Sequence, residues 1–390
     1  MVYCPAVRRI YLDHTATTPL DPRVFEAMRP FWTGAFGNPS SVHWHGRQAR
    51  MELEKARETI AAAIGAQPGE LFFTSGGTES DNLAVAGAAR AARAAGRNRV
   101  VTSATEHHAV LDTCEALGGE GCEVVVLRPD GTGRVSAEAV AQAADGRTAL
   151  VSVMHGNNEV GTITRVREIA DAVHAHAALM HSDAVQTLGK IPVDVKELGV
   201  DLLTVSAHKM YGPKGIGALY VRRGTALEPL MRGGGQERGR RPGTENVALA
   251  AGFAKAVEIA VAEMEAESER LASLRDSLQG LILARFPAAV INGHPAERLP
   301  HILNISFDNS RVSLEGETLL LNMDLLGVSV TSGSACSSGS MQPSHVLLAM
   351  GRDPRTARAT LRFSFGKGNT EDDVDEAVRR LNEVLSRMTA

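Results

Sequence analysis

The sequence predicts an α/β fold, with a large domain on a mostly parallel seven-stranded sheet flanked by helices and a smaller α+β C-terminal domain. Three observations predict it. Short β-branched runs alternate with helical patterns between residues 70 and 221, the order a parallel sheet requires. Polar residues recur at the downstream ends of those runs, the edge of an open α/β sheet where ligands bind. At 390 residues the chain exceeds the size at which a single core usually stops growing, so two domains are expected: 15–258, and 259–390 together with 1–14.

Taken in order, residues 10–18 begin as a strand and turn polar before Pro19. Asp21-Pro22 opens a helix, with proline in the first turn where its missing donor costs nothing. Gly37-Asn-Pro-Ser-Ser41 is a loop. Helical spacing then runs from Arg47 to Ile64 and stops at Gly65. The run 70–74 leads through Gly76-Gly77-Thr78 into an alanine-rich helix that reaches Gly96. Strands follow at 99–103, 123–127 and 148–154, then a helix at 166–176 and a strand at 178–181 ending at Asp183. The strand 201–206 ends in Ser206-Ala-His208-Lys209, where glycines and Pro213 prevent an ordinary helix, and 217–221 is the last strand of the set. Residues 233–244 read as a polar, basic, mobile loop. A long helix from Val247 to about Ser277, acidic over 263–269 on its solvent face, bridges to the second domain. That domain should hold strands at 290–292, 302–307 and 359–364 and helices at 315–326 and 371–387. Between them, Ser332 to Pro343 is a glycine- and serine-rich exposed loop around Cys336.

Composition excludes several classes. With 44% hydrophobic and 22% charged residues the chain is globular rather than disordered, and a net charge of -4 argues against a DNA-binding protein. The four cysteines, at 4, 114, 122 and 336, have no C-x-x-C spacing and are too few for a disulfide scaffold. Cys4, Cys114 and Cys122 read as small packed hydrophobes. No apolar run approaches a membrane span or a signal peptide, so a cytoplasmic protein with no membrane contact is expected. His43 and His45, flanking a tryptophan near a loop, read as hydrogen-bonded structural residues; the histidines 108, 155, 174 and 176 have no partner set for a metal, and no catalytic metal is expected.

The polar strand ends carry the chemistry. A lysine just beyond a core strand can hold a carbonyl cofactor as a Schiff base when its amine is desolvated, although a surface lysine in a polar loop reads equally well from that stretch alone. Pyridoxal phosphate needs such a lysine, an acidic partner for its pyridine nitrogen, a phosphate seat and a group packed on the ring. Lys209 offers the first and Asp183 the second. Gly77 and Thr78, at a helix N-terminus, offer the third with Ser206 and His208 nearby; a plain capped strand-to-helix turn remains the alternative there. His107 is placed to stack on the ring. Joint placement at successive strand ends favours an enzyme.

These residues lie in motifs that together resemble the cysteine desulfurases, class V aminotransferases of the fold-type I pyridoxal-phosphate architecture. The motifs are Gly37-Asn-Pro-Ser-Ser, Ser75-Gly-Gly-Thr-Glu-Ser-Asp-Asn82, Thr105-Glu-His-His, Asn157-Asn-Glu-Val-Gly161, His181-Ser-Asp-Ala-Val-Gln186, Ser206-Ala-His-Lys209, Gly235-Gln-Glu-Arg-Gly and Ser332-Gly-Ser-Ala-Cys336. The resemblance runs from Tyr11 through Arg362, nearly the whole chain. It implies that Lys209 holds the cofactor and moves protons, that Asp183 pairs with the pyridine nitrogen and Gln186 with the phenolic oxygen, and that His107 stacks on the ring and assists proton transfer. It further implies that Thr78, Ser206 and His208 hold the phosphate, with Thr244 reaching it from the other subunit of a homodimer. Asn158 and Arg362 would hold the carboxylate of L-cysteine, and the guanidinium fork suits that task physically. Cys336 would take the sulfur as a persulfide, releasing alanine, and pass it to a protein acceptor for iron–sulfur or other sulfur-containing cofactor or tRNA biosynthesis. A thiol that serves two positions is best carried on a loop.

The loop around Cys336 is similar to the longer version in desulfurases that feed iron–sulfur assembly, and the run from Gln236 to Thr244 is closest to the nitrogen-fixation type. The chain stops soon after the 371–387 helix, so docking of a scaffold through a longer tail is not expected. A selenocysteine lyase or another class V lyase or aminotransferase is the rival enzyme. A partner-binding protein that lost its chemistry is the rival non-enzyme.

Overall fold

The computed structural model describes residues 8–333 and 342–389. Cys4, and Cys336 with its nucleophile assignment, lie outside the described residues.

The seven central runs form one sheet in the order Leu71–Thr74, Gly217–Val221, Leu202–Ser206, Leu179–Asp183, Thr148–Ser152, Arg99–Ser103, Glu123–Leu127. From Leu202–Ser206 outward to Glu123–Leu127 every pairing is parallel, whereas Gly217–Val221 runs antiparallel to both its neighbours. The continuous apolar runs are explained by burial of both faces. Alternation sends Phe73, Val101, Val151, Leu203 and Tyr220 to one core and Phe72, Val100, Leu150, Leu202 and Leu219 to the other. The second core is closed by the helices Gly77–Ala92 and His108–Gly119 and includes Cys114 and Cys122, both buried and free. Burial pushes the Cys114 thiol up to about 12, which suits packing and not reactivity.

Gly217 pairs with Thr74 next to the Gly76 turn, and a Cβ there would lie 2.7 Å from the Gly76 carbonyl carbon. Only glycine lets these backbones approach.

The helix Val247–Arg285 is 39 residues long and outruns the expected end near Ser277. Gly280 does not stop it, because Leu278 and Ile282 on either side are fully buried and hold the turn in place. Its first half packs Phe253 and Val257 into the large core. Its second half packs Leu271, Leu274 and Leu278 into a separate core with Leu303, Phe307, Leu361 and Leu381. The expected boundary at 258 and 259 falls inside this unbroken helix. The acidic stretch is partly paired across the surface, Glu263 with Arg23 and Lys367, and Glu267 with Arg270.

The smaller sheet is antiparallel, with Ile302–Phe307 between Thr360–Ser364 and Ala289–Asn292. Ile10–Tyr11 pairs in parallel with Val328–Ser329, so the start of the described chain packs on this end of the molecule. Short elements at Ala137–Ala143, Val328–Ser329, His345–Ala349 and Pro354–Arg358 were not expected. Among the described residues no helix is long and apolar enough to cross a membrane.

The loop expected to be mobile over 233–244 is anchored at its centre. Glu237 is buried, its carboxylate takes two hydrogen bonds from Arg57 at 2.8 Å, and it also accepts the Phe73 N–H. Glu237 and Arg238 adopt left-handed backbone conformations, with φ of 46° and 56°, that this ion pair holds.

Candidate active site

The parallel strands deliver their polar ends to one cavity of about 410 Å3. Of the residues singled out in the sequence, Gly77, Thr78, His107, Asn158, Asp183, Gln186, Ser206, His208, Lys209 and Arg362 all line it. Thr244 does not; it is exposed, on the loop that Glu237 anchors.

Lys209 ends the short turn Ala207–Lys209 that follows its strand. Its ammonium donates to the carbonyls of Thr15 and Ala16 at 2.5 and 2.9 Å. Burial brings its pKa down to about 8, helped by the nearby Arg362 charge and opposed by Asp183 and Asp13. Two residues on, Tyr211 takes a left-handed φ of 64°, fixed by its N–H to Thr18 Oγ1 and by Asp21 N–H donating to its carbonyl. The polar segment 15–18 and the Lys209 turn therefore brace each other, and Thr17 Oγ1 lies 3.1 Å from His208 Nδ1.

His107 caps the helix His108–Gly119, its Nδ1 accepting the Ala109 N–H at 3.0 Å. That bond assigns the proton to Nε2. Burial, then the Lys209 charge, lower its pKa and keep the ring neutral. His43 is likewise a structural cap, accepting the Gly46 N–H, while His108, His155 and His174 pair with Asp112, Thr187 and Asp201.

Asp183 accepts the Val185 N–H at 2.8 Å, and burial pushes its carboxyl up. Sequence reasoning missed Asp81, which sits beside it in the cavity wall and is 1% exposed. Burial raises Asp81 too, with the Asp183 charge as the next cause, so the two carboxyls resist ionising together. Also missed was Asp13. It is near the start of the chain, yet its carboxylate pairs with Arg362 Nη2 at 2.9 Å while the Asn158 carbonyl accepts from Nη1 at 2.9 Å. Gln186 donates to the Thr15 carbonyl at 3.1 Å.

The cavity fits pyridoxal phosphate by its own donors. Ser206 Oγ is buried and has no protein partner. It lies at the N-terminus of the helix Gly77–Ala92, whose first N–H groups have no acceptor within the helix. A Cβ on Gly77 would press Val185 at 3.0 Å, so the bare backbone keeps that cradle open. A buried carboxylate at Asp183 is stabilised only by a proton or a positive partner, and a protonated ring nitrogen is such a partner. Ser206, Thr78 and His208 would hold the phosphate, Asp183 the nitrogen, and Lys209 the aldehyde carbon.

Residues 10–377 match the family model described as aminotransferase class-V. The cysteine desulfurase IscS of Dictyoglomus turgidum is 47% identical over 381 residues, covering 98% of this chain and 95% of that protein. The putative cysteine desulfurase IscS 1 of Bacillus subtilis is 46% identical over 384 residues, covering 98% and 100%. Among solved structures, a NifS-like protein superposes with a TM-score of 0.90 at 40% identity, covering 97% of this chain and 100% of that one. SspA in complex with cysteine gives 0.81 at 36%, covering 92% and 99%. The strand-end cavity and these likenesses agree, and the chain belongs to the class-V aminotransferase family and, within it, to the cysteine desulfurases.

Proposed function

We propose that this protein converts L-cysteine to L-alanine with pyridoxal phosphate as cofactor, Cys336 taking the sulfur and passing it to an acceptor protein. The observation that carries the reading is one cavity holding a desolvated amine, a buried carboxylate and an arginine fork, with Thr331 and Gly333 in its wall. Cys336 follows Gly333 by three residues, a length of chain that spans at most about 10 Å. The cysteine seen with SspA is a substrate this cavity's donors suit.

Arg362 orients the substrate carboxylate, with Asn158 alongside. Lys209, neutral in useful fraction because its pKa is lowered, takes the Cα proton and returns one. His107 Nε2 moves a further proton at the substrate. The Cys336 thiolate forms a bond to the substrate sulfur while the Cβ–S bond breaks. The electron pair stays with carbon; Cβ takes up one proton, equivalent to the one the Cys336 thiol lost, and Cα takes one back from Lys209 to complete alanine, so no outside oxidant or reductant is needed. Bound pyridoxal phosphate supplies the electron sink for Cα–H and Cβ–S cleavage.

Thr244, exposed and outside its own cavity, fits the reading of a homodimer in which it serves the partner's phosphate seat. The test is stoichiometry. One alanine should appear per sulfur on Cys336, located by peptide mass mapping. Cys336→Ala should keep pyridoxal phosphate and lose sulfur transfer. Equal turnover with alanine and a keto acid would instead make this an aminotransferase.

A further inference from the structure

Glu159 is the charged member of the Asn157-Asn-Glu-Val-Gly161 motif, and the sequence gives it no role. It is 2% exposed, and the Arg362 charge acts on its carboxylate. Its backbone is fixed from two sides: Asn157 Oδ1 accepts the Glu159 N–H at 2.8 Å, and the Glu159 carbonyl accepts from Asn304 Nδ2 at 3.1 Å. The side chain therefore projects from a rigid base.

What it meets are two points of chain eleven residues apart in sequence. Ser344 Oγ donates to Glu159 Oε2. Gly333, at φ of 95°, lies so close that a Cβ there would stand 2.7 Å from the same oxygen. The chain beside each of these points is tied to the site by hydrogen bonds. Thr331 and Arg362 exchange backbone hydrogen bonds in both directions, and His345 Nε2 lies 2.9 Å from the carbonyl of Glu106, the residue before His107. Burial raises the Glu159 carboxyl, and the Ser344 hydroxyl opposes that. A buried carboxylate set so close to backbone that it excludes a Cβ is costly unless its position matters.

We propose that Glu159 is a positioning residue for sulfur transfer: by accepting from Ser344 and packing against Gly333, it fixes the two points of chain that flank Cys336 in sequence. This rests on Cys336 being the sulfur acceptor. It acts on the transfer step and leaves cofactor and substrate binding, which use other residues, alone.

The test uses the holoenzyme and three variants, Glu159→Ala, Glu159→Gln and Ser344→Ala. Pyridoxal phosphate content, KM for L-cysteine and single-turnover persulfide formation on Cys336 by mass spectrometry are measured for each. Glu159→Ala should slow persulfide formation tenfold or more, with KM within twofold and full cofactor content. Ser344→Ala should move the same rate in the same direction by less. Glu159→Gln should recover most of it, because its amide oxygen still accepts from Ser344. A normal persulfide rate in Glu159→Ala, or a defect seated in cofactor binding or KM, overturns the proposal. If Glu159→Ala does not fold, a normal rate in Ser344→Ala overturns it. Persulfide that forms elsewhere than Cys336 in the wild type is a separate failure, that of the acceptor assignment.

Discussion

Asp13 and Arg362 stand 349 positions apart in the chain and share a hydrogen-bonded ion pair of 2.9 Å at the wall of the cavity. The pair orients the fork that, in the proposed reaction, meets the substrate carboxylate. Asp13→Ala should raise KM for L-cysteine about tenfold, equivalent to ~1.4 kcal/mol, with kcat little changed. Asp13→Asn, which keeps an acceptor, should do less. Arg362→Ala should raise KM about a hundredfold, as loss of a charge-assisted carboxylate contact does. Steady-state kinetics on cofactor-saturated protein separates the three.

The pKa of Lys209 at about 8 sets a pH dependence. Only the neutral amine attacks an aldehyde. With the pKa lowered, roughly a tenth of it is neutral at pH 7, against well under a thousandth for an ordinary lysine. The second-order rate of reconstitution of the apoenzyme with pyridoxal phosphate should therefore rise about tenfold per pH unit below 8 and level off above it. A rate still climbing at pH 10 would show an unperturbed lysine.

His107 does two jobs that one substitution separates. As the cap of His108–Gly119 it supports the fold, and in the proposed reaction its Nε2 serves the chemistry. Asparagine is a good cap with no titrating ring. His107→Asn should hold stability within about 0.5 kcal/mol of wild type yet lose about a hundredfold or more in kcat. His107→Ala should lose both, the cap being worth about 1 kcal/mol. Urea unfolding beside turnover checks the split.

Arg57 and Glu237 are both almost fully buried, and Arg57→Ala leaves the Glu237 carboxylate with the Phe73 N–H and no counter-charge, whereas Glu237→Ala leaves Arg57 paired with the half-exposed Glu54. Arg57→Ala should cost about 3–5 kcal/mol of stability and Glu237→Ala less. Because Glu237 shapes the loop that carries Thr244, weaker retention of pyridoxal phosphate should accompany the loss. Chemical denaturation and cofactor release on dilution measure the two effects.

These pairings mark the line between what the residues alone disclose and what they do not. The runs at 99–103, 123–127, 217–221 and 302–307 are readable to the residue because each is buried on both faces or ends at a glycine or polar cluster. Lys209, Asp183 and His107 are readable because they stand at the ends of such runs. Asp13 with Arg362 and Arg57 with Glu237 are not, since a charged residue carries no mark of a partner hundreds of positions away. Asp81 was hidden for a different reason: it lies within the Gly77–Ala92 helix, where an acidic residue reads as a solvent-facing one. The short helices at 345–349 and 354–358 are too brief to show a period.

The Val247–Arg285 helix passes through the large and the small core without a break. At 1.5 Å per residue it is a rod of about 58 Å, and neither end of the molecule can turn against the other without bending it. The arginine on the small sheet and the lysine on the large one thus share an axle, and the 13–16 segment that bonds to both is a second tie between them.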